Sequence, residues 1–311
     1  MKKPNLFMVG HPRTGTSALH NVLNQHPDIF MSIPKEPIYF AKDLHAESDL
    51  FHKKAKFFHF RDEVQYLKIF NPIKRQQIAG ESTSVYLYSK VAAREILRFN
   101  PEAKIIMMFR EPVSWLGSYH AKACQILGED QPNFSEALKL EEERKRGHFL
   151  SKKVMAPSLL FYTEFLRYRL QIERYTSIFN PANIKIIIYD DYRSDNQKIF
   201  GEVLQFLDLD REFAPQFKKL NASKSSAKWP LAQQIIQFPY LIKIALKLLP
   251  RNMFGKISLY YWEYFFKNSE ENKIDPQLRL SLMQKIRPEV ELLGDFLNRD
   301  LLELWGYNKT L

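Results

Sequence analysis

The chain has 311 residues, 45% of them apolar and 14% aromatic, with only 10 glycines, so one large domain with a sizeable packed core is expected. Forty-six Lys and Arg against 35 Asp and Glu leave a formal charge of +11, which favours an anionic partner: a nucleotide, a sulfated or phosphorylated acceptor, nucleic acid or a membrane surface. Cys124 is the single cysteine, which excludes an intramolecular disulfide and a cysteine-built structural zinc site.

The opening "MKKPNLFMVG" reaches a glycine turn too early for the apolar core of a secretory leader. No run approaches the roughly 18 apolar residues of a bilayer span. The longest, Ile235 to Pro250, is interrupted by Pro239, Lys243 and Lys247. A soluble, cytoplasmic protein is expected.

The first strand is "NLFMV" (5–9), and the helical pattern "SALHNVLNQH" follows a short loop. Strand, tight glycine turn and helix N-terminus make an anion site, because backbone N–H groups and the helix dipole face the ligand. Gly10 and Gly15 bound the loop, and Thr14, Thr16 and Ser17 offer hydroxyls. In nucleotide hydrolases and kinases a lysine after the second glycine reaches the terminal phosphates. Here that residue is Thr16, and the cation stands earlier, at Arg13. A triphosphate–Mg²⁺ complex fits poorly; a smaller anion held without metal fits better. His11 is expected to line this loop.

After the expected second strand comes "SIPKEPIYFAKD" (32–43), with Lys35 and Glu36 between two prolines. "QIAGE" (77–81) reads as a strand, leading into "GESTSVYLY" with Glu81 and Ser82, and "SKVAAREILRFN" as a helix. The strand "AKIIMMF" (103–109) ends at Arg110, where open α/β sheets place their ligands, and Ser118 follows in the next helix. A guanidinium fork and a hydroxyl suit a second, separate phosphate. The run 141–146 pairs Glu141 with Lys145 and Glu142 with Arg146 four apart, the pattern of a solvated helix face. Residues 159–179 predict one long helix, "IKIIIYD" (184–190) a strand, and 196–210 a helix packed after it. The chain from 276 to 305 predicts two more helices. Residues 128–157 and 231–270 are candidate lids. In the second, Lys243 and Lys247 share a face of an apolar helix, so 240–250 is a candidate membrane contact.

Strands alternating with helices predict an α/β fold of three layers, a central parallel sheet flanked by helices, with a helical C-terminal third. No repeat or flexible linker divides the chain, so 1–311 reads as a single domain.

At this point the sequence resembles the sulfotransferases that use 3′-phosphoadenosine 5′-phosphosulfate (PAPS). "HPRTGTSAL" looks like their 5′-phosphosulfate loop, with Arg13 where many members have Lys. "FREPVSWLGSYH" looks like their 3′-phosphate motif, with Arg110 and Ser118 as the phosphate-binding pair. The likeness continues through "IKIIIYDDYRSDNQKIFGEVLQFLDLD" and "KKLNASKSSAKWPL" (218–231), covering roughly 4 to 230. It implies a P-loop-type fold, a nucleotide-binding core over 1–230 and a helical extension over 231–311. PAPS would be the donor and adenosine 3′,5′-bisphosphate (PAP) the product, with no metal required. Arg13, Thr14, Gly15, Thr16 and Ser17 would hold the 5′ end, Arg110 and Ser118 the 3′-phosphate. Lys219, Asn221, Ser223 and Lys228 would close over the nucleotide. The segment at 32–43 resembles the Lys-Glu-x-x-aromatic-Phe stretch of heparan-sulfate-type members, which makes Glu36 the candidate base and Lys35 a sulfuryl contact; His120 and His11 are rivals. Those members carry a lysine near the position of Ser82 here, so Glu81 and Ser82 are expected to face the acceptor instead. The acceptor is an unidentified hydroxyl- or amine-bearing molecule, and nucleic acid is not an expected partner. A P-loop kinase or NTPase and a non-catalytic basic module are the alternatives.

Overall fold

The computed structural model describes residues 3–217 and 274–309. Five strands form one sheet in the order β2-β3-β1-β4-β5, every neighbouring pair parallel. They are β1 (Leu6–Gly10), β2 (Ile29–Met31), β3 (Ile78–Ser82), β4 (Lys104–Phe109) and β5 (Ile184–Ile188). The four expected runs are strands, within a residue or two at their ends. β2, three residues long, is the second strand expected ahead of 32–43, though too short for periodicity to give its bounds.

Alternation along β1 and β4 divides the core. Phe7, Val9, Ile105 and Met107 pack on one face of the sheet with Trp115 and Ile172, while Leu6, Met8, Ile106 and Met108 pack on the other with Leu19 and Phe200. A strand buried on both faces has no polar side, which is why these segments read as continuous apolar runs. The first face carries α4 (Ala92–Phe99), α5 (Pro112–Lys122) and α8 (Tyr168–Thr176). The second carries α1 (Thr16–Leu23) and α10 (Asn196–Phe206). This is the three-layer architecture, with a helix at Pro276–Leu297 and a short one at Leu301–Leu304 near the end of the chain. Among the described residues no helix is long and apolar enough to cross a membrane.

α5 starts where it does because Pro112 occupies the first helical position and the Glu111 carboxylate accepts from the Val113 and Ser114 N–H groups at 2.8 and 2.7 Å. Glu111 also accepts from the Tyr307 hydroxyl at 2.8 Å and pairs with Arg279 at 3.3 Å, tying the C-terminal helices to the start of α5. The expected boundary between 230 and 231 lies outside the described residues.

Three expectations are corrected. The segment 159–179 is not one helix: 3₁₀ turns at Pro157–Leu160 and Glu164–Leu166 precede α8. Carboxylates from elsewhere hold the breaks open, Glu47 on the Ser158 N–H at 2.8 Å and Glu141 on the Thr163 N–H at 2.9 Å. The run at 141–146 is not wholly solvated either. Glu141 is buried, and Arg144 is buried in a two-bonded pair with Glu129 at 2.6 and 2.7 Å. That pair, with Phe134, Ala137 and Val154 in the core, makes 128–157 a packed part of the domain and not a lid.

Candidate active site

The loop Gly10–Gly15 leaves the C-terminal end of β1, between β3 and β4. Its path needs glycine twice. A Cβ on Gly10 would lie 2.7 Å from the Met108 carbonyl oxygen, and Gly15 holds the left-handed conformation (φ 89°) at the N-terminus of α1. Arg13 is also left-handed, at φ 71°. The Trp115 indole donates to the Pro12 carbonyl at 2.5 Å and pins the loop from below.

Arg13 leaves this loop toward α5, where its Nε donates to Ser118 Oγ at 3.0 Å. A residue expected at the 5′ end of the nucleotide and one expected at its 3′-phosphate therefore touch. Lys35 enters from the other side: its Nζ donates to Thr16 Oγ1 at 3.3 Å and Ser17 Oγ at 3.1 Å, and pairs with Glu36 Oε1 at 3.3 Å. Glu36 sits at φ 58°, its own N–H bonded to the Ser82 carbonyl at 3.0 Å. Its carboxylate accepts from the Ser84 N–H at 2.9 Å and the Ser84 hydroxyl at 2.8 Å. One continuous network thus joins the anion loop to a carboxylate.

The charges in this network perturb one another. Burial pushes the Lys35 ammonium below its ordinary range, and Glu36 opposes that. Burial alone would raise the Glu36 carboxyl; Lys35, Lys122 and the Ser84 donors outweigh it and hold the group below the usual value. Lys122, buried on α5, is driven by burial from 10.5 down to about 7, with Glu36 opposing and Lys35 and Arg13 adding to the fall. Lys35 and Lys122 act on Glu36, and Arg13 on Lys122, so three basic groups converge near one carboxylate.

Other expected residues sit elsewhere or are otherwise engaged. Arg110 lies with its guanidinium 5.4 Å from the centre of the Tyr189 ring, and its carbonyl accepts from Tyr168. The Thr14 hydroxyl is spent on the His11 carbonyl at 2.7 Å. His11 does not line the loop's open side: it is buried among Phe109, Trp115, Phe165 and Tyr168 and bonds Gln171 Oε1 at 2.7 Å. Burial takes it down to about 4, with Gln171 partly offsetting, so it is neutral and part of the core. His120 is likewise buried, its Nε2 donating to the Gln131 carbonyl at 2.9 Å. Glu81 and Ser82 do not face an acceptor. Glu81 is buried under the Tyr66, Thr83 and Tyr86 hydroxyls at 2.6, 2.9 and 3.2 Å, and Ser82 is held between His20 and Met8. Lys219, Asn221, Ser223, Lys228 and the segment 240–250 lie outside the described residues.

Sequence reasoning missed Lys122, Ser84 and His20. Lys122 follows Ser118 by four, one helical turn on the same face of α5, and that spacing was the available signal. Ser84 lies two beyond Ser82, past the end of β3. His20 bonds Ser82 Oγ at 2.9 Å, and burial with the Lys35 charge drives it down to about 3.

The model of the Sulfotransferase family matches residues 4–213, and the chain belongs to that family. Mouse carbohydrate sulfotransferase 15 is 24% identical over 289 residues, covering 75% of this chain and 51% of its own length. The mouse bifunctional heparan sulfate N-deacetylase/N-sulfotransferase 4 is 24% identical over 215 residues, 66% of this chain and 22% of that protein. The chain thus spans about half the length, or less, of these curated relatives. Among solved structures, a sulfotransferase from Alicyclobacillus acidocaldarius superimposes with a TM-score of 0.70 at 23% identity, covering 98% of this chain and 99% of that one.

Proposed function

We propose that the protein transfers the sulfuryl group of PAPS to an acceptor hydroxyl by in-line displacement and releases PAP. The observation that carries this reading is the Lys35 bridge, which ties the anion-loop hydroxyls of Thr16 and Ser17 to the carboxylate of Glu36. A donor seated on the loop presents its sulfuryl group beside that carboxylate.

The step balances without a covalent enzyme intermediate. The acceptor oxygen forms a bond to sulfur as the bond from sulfur to the bridging phosphate oxygen breaks. The acceptor's proton passes to Glu36, and the charge left on the phosphate is met by Arg13 and the loop N–H groups. Bound phosphosulfate draws Lys35 toward itself, loosening its hold on Glu36 and raising the carboxylate's proton affinity as the acceptor arrives. The same anion pulls Lys122 back to its charged form. Ser118, with Arg110 near the end of β4, takes the 3′-phosphate, and remote binding of that group aligns the reacting end. The names of the curated relatives support a hydroxyl or amine of a carbohydrate as acceptor.

The test is transfer of radiolabelled sulfuryl from PAPS to pooled saccharide, phenol and lipid acceptors. The reading expects a labelled product with wild-type protein and none with Arg13→Ala. Metal-dependent turnover of ATP, with no labelled acceptor in any pool, would contradict it.

A further inference from the structure

We propose that Glu81, buried beneath the site, is a positioning residue: through the hydroxyls of Thr83 and Tyr86 it holds the strained loop that carries Glu36. The inference rests on the reading of Glu36 as the base.

The loop from Glu36 to Phe40 cannot keep its shape unaided. Glu36 and Ile38 both sit at φ 58°, in the left-handed region, and Ile38 is β-branched, so the backbone there is strained. Such a conformation persists only where its surroundings fix it. The Glu36 N–H is held by the Ser82 carbonyl at 3.0 Å, and the Ile38 carbonyl accepts from His45 Nε2 of α2 (Lys42–His52) at 2.7 Å. Two further N–H groups are held by hydroxyl oxygens. Ile38 donates to Thr83 Oγ1 at 3.5 Å, and Phe40 to the Tyr86 hydroxyl at 3.2 Å.

A hydroxyl oxygen accepts from an N–H only when its own proton points elsewhere. Both protons go to Glu81: Thr83 donates to Oε2 at 2.9 Å and Tyr86 to Oε1 at 3.2 Å. Tyr66 donates to Oε1 as well, at 2.6 Å, and its ring stacks on Tyr39 with centres 4.4 Å apart. Phe40 meets the Tyr66 and Tyr86 rings edge-on, at 5.3 and 5.8 Å. One carboxyl group thus sets the hydroxyls that hold the backbone of the loop and the rings that hold its side chains. Among the described residues no cation pairs with Glu81, so its oxygens serve these hydroxyls. A loop released from them lets Glu36 slip from Lys35 and the Ser84 donors.

The test compares full-length wild type with Tyr86→Phe, Thr83→Val and Thr83→Ser. These changes are neutral, which matters because Glu81 and Glu36 also repel each other. The first readout needs no turnover: NMR titration of the Glu36 carboxyl in protein with isotope-labelled glutamate, its resonance assigned with Glu36→Gln. Tyr86→Phe and Thr83→Val should each raise its proton affinity about threefold or more, as the carboxylate loses Lys35 and Ser84. Thr83→Ser, which keeps the hydroxyl, should match wild type.

The second readout is sulfuryl transfer. Tyr86→Phe, Thr83→Val and Glu81→Gln should each lower kcat about tenfold, with donor KM and PAP affinity within about twofold of wild type. None should lower it further in a Glu36→Gln background. Thr83→Val should cost less in Glu81→Gln than in wild type, because both break one link. Thermal melts establish that each variant is folded. An unchanged Glu36 titration in Tyr86→Phe and Thr83→Val, or full additivity of Glu81→Gln with Thr83→Val, would overturn the proposal. A shifted titration with undiminished kcat would uphold the scaffold and overturn instead the reading of Glu36 as the base.

Discussion

Replacing Lys122 by methionine should make the ligand-free protein more stable while crippling its site. Lys122 falls from 10.5 to about 7 chiefly because it is buried. At about 1.4 kcal/mol per tenfold change, that fall sets the cost of keeping it charged at about 5 kcal/mol at most. The sign follows from proton binding. The unfolded chain keeps this proton up to pH 10.5, whereas the folded chain releases it near 7, so between those values stability rises with pH. Below pH 7 both states are charged and the folded state bears the whole cost. Methionine has similar length and no charge, and the cost is already net of the attraction to Glu36, so a gain of up to about 5 kcal/mol at pH 6 is expected, shrinking toward pH 9. Urea unfolding at pH 6, 7.5 and 9 measures this directly. In the wild type, PAP binding at pH 8 should take up protons as the anion recharges Lys122, seen as a heat that depends on buffer ionisation enthalpy; the variant should lack that component. A Lys122→Met protein less stable than wild type at pH 6, or a wild-type heat independent of buffer, would refute the reasoning.

Three further outcomes are expected. Glu36→Gln keeps a partner for Ser84 but cannot take a proton, so kcat for sulfuryl transfer should fall about 10²–10⁴-fold with donor KM little changed; full turnover would remove Glu36 as the base. Arg144→Met strands the buried Glu129 carboxylate and should cost about 3–5 kcal/mol in urea unfolding, much of it recovered by adding Glu129→Leu. Glu81, raised mainly by burial to about 7, contributes stability that is full below 4.5 and lost as pH rises through 7, so Glu81→Gln should flatten that decline and unfold later than wild type in urea at pH 8.

The sheet was legible because parallel strands buried on both faces are written as unbroken apolar runs, as in "AKIIMMF". Gly10 and Gly15 were legible because their backbone admits no side chain of ordinary shape. The segment 159–179 misled because its apolar spacing is helical while its breaks are set by Glu47 and Glu141, which are distant in sequence or in another element. Arg144 misled in a related way: a basic residue in a charged run is buried only because Glu129 meets it. At the site, Arg13, Lys35 and Glu36 could be singled out from the chain, but Lys122 acquires its character chiefly from burial, with the charges of Glu36, Lys35 and Arg13 brought to it by two other loops. That convergence belongs to the fold and not to any local pattern.

The central claim is that this loop and the start of α5 grip the two phosphates of one nucleotide. Calorimetry of the full chain with PAP and with AMP, each with and without Mg²⁺, tests it most directly. The account predicts PAP binding at least about tenfold tighter than AMP, unaffected by Mg²⁺, with Ser118→Ala narrowing the gap and Arg13→Ala weakening both ligands. Equal affinity for PAP and AMP, or binding that requires Mg²⁺, would contradict it.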